Sequence, residues 1–181
     1  HKVFKHFVGS YTAFVLSALL FAVTYVLFGF YWGWLDDIII INEVNGLFFA
    51  EHTNISLVKY VVFLSQLYIK LSQYCNKLNY HGVLLYSSSF CSVFLLIKLL
   101  ILKVKHFQGN LVFITLFFLV FLLELVYMIE FTKVALFGLG ISIIGFYDSS
   151  FFRKNQLLIA LLFSVSFLLR MHMAFFFAPI V

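Results

Sequence analysis

From Phe7 to Leu35 the chain runs for 29 residues without one Asp, Glu, Lys or Arg. About 20 apolar residues in a helix cross roughly 30 Å of hydrocarbon, so this stretch is long enough to span a bilayer. It ends in Tyr31, Trp32 and Trp34, side chains that favour the membrane–water boundary. Lys2 and Lys5 give it the basic start of a signal peptide, but the apolar run continues to Leu35 with no small-residue cleavage site. A first transmembrane helix is therefore expected at about 9–33.

The same condition recurs along the chain. Of its 181 residues 64% are hydrophobic and 10% charged, with a mean hydropathy of +1.09, whereas soluble domains carry about 25% charged residues. Hydrocarbon offers no partner for a backbone N–H or C=O, so segments this apolar must close their hydrogen bonds internally. The expected fold is an all-α polytopic transmembrane helix bundle, a single membrane domain over residues 1–181. After the first span come 56–76, with Lys59 and Lys70 able to snorkel outward, 83–103, then 111–131 containing Glu124, and 156–177 containing Arg170 and His172. Residues 134–147 hold three glycines in 14 residues, short for a crossing and suited to a re-entrant or protein-buried piece.

Five spans, with 134–147 not crossing, put Lys2, Lys5, Lys77, Lys133, Arg153 and Lys154 on the amino-terminal side. Lys59, Lys103, Lys105 and the acidic loop with Asp36, Asp37, Glu43 and Glu51 fall opposite, and the positive-inside rule then places the amino terminus inside. The net charge of +5 is scattered between apolar runs and forms no basic stripe, so it orients helices and argues against nucleic-acid binding. Cys75 and Cys91 form no paired motif and read as small hydrophobes.

Glu124, with apolar neighbours on both sides, is the first functional candidate, because an ionisable group inside a span is costly unless paired, protonated or hydrated. It is either a proton-exchanging carboxyl or a helix-packing group satisfied by a neighbouring subunit. Glu130 and Lys133, three apart, suit an anchoring pair at a helix end. Lys98 is read as a snorkelling cation or a proton relay, and Arg170 as an intramembrane charge in need of a carboxylate, carbonyls or headgroups. His6, His52, His81 and His106 fall at span ends or loops, without the facing pairs a haem needs or the clusters copper and zinc need.

Residues 84–101, LLYSSSFCSVFLLIKLLI, resemble the third helix of the mitochondrial NADH dehydrogenase subunit 6 family. Tyr86 and Phe94 match the family's tyrosine and phenylalanine, and Ser87, Ser88, Ser89, Cys91 and Ser92 stand where it has glycine and alanine. The stretch LLELVYMIEFTKVALFGLGISIIGF looks like the glutamate-bearing helix of subunit 4L of the same enzyme, and SFLLR is similar to the arginine helix of ATP synthase subunit a. The chain's 26 Phe against 8 Ala is the bias of a T-rich organelle genome.

The first resemblance implies a non-redox, proton-translocating subunit of respiratory complex I in the mitochondrial inner membrane, binding no cofactor itself and surrounded by lipid and other membrane subunits. On it, Tyr86 would mark a π-bulge in the third helix, and Glu124, Lys98 and Tyr86 are the proton-path candidates. The alternatives are a structural membrane subunit of a respiratory complex or a divergent ATP synthase subunit a.

Overall fold

The computed structural model describes residues 2–29, 31–32, 67, 70–71, 74, 80–103, 126 and 128–170, with the side chains of 2–8, 31–32, 102–103 and 128–129 excepted. Among these, the helices are α1 (Lys2–Phe28), α2 (Tyr80–Lys103), α3 (Phe131–Tyr147) and α4 (Ser149–Leu169). Residues 67, 70, 71, 74 and 126 are helical as well, and a two-residue parallel pairing joins β1 (Tyr31–Trp32) to β2 (Met128–Ile129), Tyr31 opposite Met128 and Trp32 opposite Ile129. Three of the described helices are long and apolar enough to cross a bilayer, over Gly9–Phe28, Tyr80–Ile101 and Ser149–Leu169, which makes this a helical membrane protein. Most of the expected spans 56–76 and 111–131, and Glu124 with them, lie outside the described residues.

The helix ends depart from the sequence expectation, each for a local reason. The first helix stops at Phe28 rather than near 33 because Gly29 takes a φ of 71°, a left-handed conformation open to glycine, and its N–H closes the last turn on the Tyr25 carbonyl at 2.9 Å. The segment expected to finish a helix near 131 is extended at Met128–Ile129 and at Glu130, and a new helix begins at Phe131. The last helix starts at Ser149 instead of 156, and Arg170 is its C-cap rather than a residue within it.

Asp148 alone joins α3 to α4. Its N–H reaches the Ile144 carbonyl at 3.4 Å, while its carboxylate accepts from the N–H groups of Ser150 and Phe151, both at 3.1 Å. One residue thus ends one helix and caps the next, satisfying donors that would otherwise lie open at the helix start.

The resulting hairpin is held by small residues. Ala135, Gly138, Ser142 and Gly145 recur at intervals of three or four along α3 and are all buried, Gly138 against Ser166 and Leu162 of α4 and Gly145 against Ile159. Lipid supplies no hydrophobic drive between helices, so close backbone approach through such residues is what fastens them. The 17-residue segment is therefore a helix seated on its neighbour, about 25 Å long at 1.5 Å per residue.

Two apolar clusters set the direction of α2. Leu85 packs with Phe131, Val134, Ala135 and Leu169, whereas Val93, Leu95 and Leu96 pack with Ile141, Phe151, Ile159 and Leu162. So α2 runs parallel to α3 and antiparallel to α4. Helix α1 lies against α2, with the rings of Phe14 and Phe21 on Phe90 at 5.7 and 5.5 Å, and its C-terminal end leads to the pairing beside the start of α3.

These directions overturn the expected distribution of charge. Lys133 and Arg153 flank opposite ends of α3, and Lys103, expected across the membrane from Arg153 and Lys154, belongs to the same end as they do. Lys2 and Lys5, at the start of α1, fall at that end too, while Glu130, Lys133 and Arg170 collect at the other. The amino terminus and the Asp148 turn therefore belong to one end of the described helices, since the other end of α1 leads to the β1–β2 pairing beside the start of α3. Single cysteines placed at Lys2 and at Ser149 in a Cys75→Ser/Cys91→Ser background should be labelled by an impermeant maleimide from one and the same side. Labelling from opposite sides would refute the arrangement.

Candidate functional site

Polar side chains in the bundle dispose of their hydrogen bonds in two ways. Most return them to their own helix: Ser17 Oγ donates to the Ala13 carbonyl at 2.8 Å, Thr24 to Leu20 at 2.7 Å, Ser92 to Ser88 at 2.8 Å and Ser142 to Gly138 at 2.7 Å. This local bonding lets α2 remain an unbroken α-helix through its serines. The π-bulge expected at Tyr86 is absent, and the small residues serve close packing instead. Ser88, Ser89 and Ser92 are buried, while Tyr86 is half-buried against the Leu85–Phe131 cluster.

The second way is a contact between helices. Lys98, 7% exposed, donates from Nζ to Asn155 Oδ1 of α4 at 2.6 Å. Asn155, itself buried, is fixed by donating from Nδ2 to the Phe151 carbonyl at 2.8 Å, so its oxygen is aimed at the lysine. The ammonium also stands 5.4 Å from the centre of the Phe94 ring one turn earlier on α2. A lysine ammonium can release and recover a proton, as a guanidinium cannot. A neutral amide oxygen accepts a hydrogen bond from it without locking it as a charged pair. The sequence pointed to Lys98 but not to Asn155, which the register of two antiparallel helices supplies.

Arg170 and Tyr86 belong to the opposite end. The Arg170 guanidinium donates from Nη1 to Thr132 Oγ1 and lies 4.7 Å from the centre of the Phe131 ring, tying the end of α4 to the start of α3. Glu130 is the extended N-cap of α3, and Lys133 stands three residues on in its first turn. Lys98 and Arg170 are thus brought to different ends, and Glu124 lies outside the described residues.

Three further polar groups are buried, of which Ser166 alone went unnamed in the sequence analysis. His81 is 1% exposed in the first turn of α2. Ser89 Oγ and Ser166 Oγ are fully buried and, among the described residues, have no hydrogen-bond partner. Both serines fall between the two apolar clusters, Ser89 between Leu85 and Val93 on α2 and Ser166 between Leu162 and Leu169 on α4. Among the described residues no three His, Cys, Asp or Glu side chains gather to hold a metal.

Set against known protein families, curated proteins and solved structures, the chain matches none of them.

Proposed function

We propose that this chain is a proton-path subunit of a respiratory complex in the mitochondrial inner membrane, a non-redox subunit like NADH dehydrogenase subunit 6. The observation that carries the reading is the buried Lys98–Asn155 contact on α2, the helix with the family resemblance, with Ser88, Ser89 and Ser92 buried on its N-terminal side. A titratable amine held by a neutral acceptor is a proton exchanger, and hydroxyls, which both donate and accept, can extend a path from it. In the same reading Glu124 supplies the exchanging carboxyl. Electron transfer belongs to other subunits.

Lys98→Met and Glu124→Gln, introduced into the assembled complex in native membranes, should each lower proton translocation by about tenfold or more, as loss of a proton-transfer group does. Assembly should be unchanged. A second, purely structural reading is favoured by the exposed apolar end of α1, where Tyr25, Val26, Leu27 and Phe28 offer a surface to lipid or to another subunit. Full translocation in both variants would establish it.

A further inference from the structure

We propose that the end of the bundle at the Asp148 turn binds the phosphate of an anionic phospholipid. Arg153 and Lys154 lie exposed in the second turn of α4, next to Asn155, on which the buried Lys98 of α2 is held. Lys103, Lys2 and Lys5 are brought to this end by the directions of α2 and α1. Among the described residues none of Lys98, Arg153 and Lys154 has a carboxylate partner. Asp148, the described carboxylate of this end, caps α4 through its Oδ1.

Exposed cations gathered at one end of transmembrane helices, with no carboxylate partner among the described residues, call for an anion at headgroup depth. A phosphodiester fits, since it carries a single negative charge and oxygens that accept from both a guanidinium and an ammonium. Its acyl chains would continue along the apolar sides of the same helices, where Leu157 and Leu161 of α4 are exposed below the two cations. A soluble phosphate has no such second contact, so the bound species is the lipid. The proposal does not depend on the proton-path reading, in which Arg153 and Lys154 take no part.

The test uses the full chain in neutral detergent micelles and measures binding of fluorescent phosphatidylglycerol and phosphatidylcholine. Phosphatidylglycerol should bind more tightly, and R153Q/K154Q should weaken it about 25-fold, at the roughly fivefold per cation that a surface Lys or Arg contributes to attraction by anionic lipid. K133Q, at the opposite end, should leave it unchanged. Unfolding of each variant, followed by circular dichroism, separates lost binding from lost fold. Equal binding of the two lipids, an equal loss in K133Q, or displacement of the lipid by glycerol phosphate would each overturn the proposal.

Discussion

Gly138→Val should unseat α3 from α4 and cost about 1–3 kcal/mol, the usual range for forcing extra carbons into a packed interface. A Cβ at this position would stand within contact distance of the Ser166 hydroxyl, 3.2 Å from Ser166 Cβ and 3.3 Å from Leu162 Cδ1. The hydroxyl can rotate away, but its Cβ and the helix behind it cannot. Alanine forms helix better than glycine by about 1 kcal/mol, so a net loss for Gly138→Ala would report the clash itself. Ser166→Ala should then recover part of that loss, because it removes the nearest atom. Gly145→Ala provides the contrast, since its new methyl meets the mobile tip of Ile159, Cδ1 at 2.9 Å, and should cost little. Equilibrium unfolding in mixed detergent micelles measures all four, and a Gly138→Val protein as stable as the parent would show that the hairpin is not fastened there.

Asn155→Leu should be the most damaging single change near Lys98, costing about 2–3 kcal/mol, because it takes a charge-assisted hydrogen bond from an ammonium that stays buried. Lys98→Met removes donor and charge together and should cost far less. The double variant Lys98→Met/Asn155→Leu should accordingly be more stable than Asn155→Leu alone, with apolar groups of similar size filling the contact. That order cannot arise from two independent packing defects. Additive losses, with the double variant worst, would mean that the contact contributes nothing and that Lys98 reaches out to the headgroups when Asn155 is gone.

The membrane environment and the helices that need it were readable from order alone, because apolar length is a local property of consecutive residues. The chain between 80 and 103 shows this best: its expected span, 83–103, differs from α2 only in the first turn. Lys98 was also legible, since a charge inside an apolar run stands out without any knowledge of its neighbours. Two local signals were passed over. Gly29 after a long apolar helix marks a left-handed stop, and Asp148 followed by Ser-Ser marks a cap, and together they would have placed the end of α1 and the start of α4.

Which residues meet across helices followed no local rule. Asn155 is 57 positions from Lys98, and nothing in either stretch announces the other; the antiparallel register of α2 and α4 brings them together. The same holds for charge: a tally of lysines along the chain put Lys103 and Arg153 on opposite sides, and the parallel course of α2 and α3 reunites them. Sequence by itself determined the solvent, the three long apolar helices and the buried cation Lys98, all of which depend on hydrophobicity summed over neighbours in the chain. The tertiary structure decided the α3–α4 hairpin, the partner of that cation and the charged end of the bundle, because these depend on which faces of separate helices fit closely enough to touch.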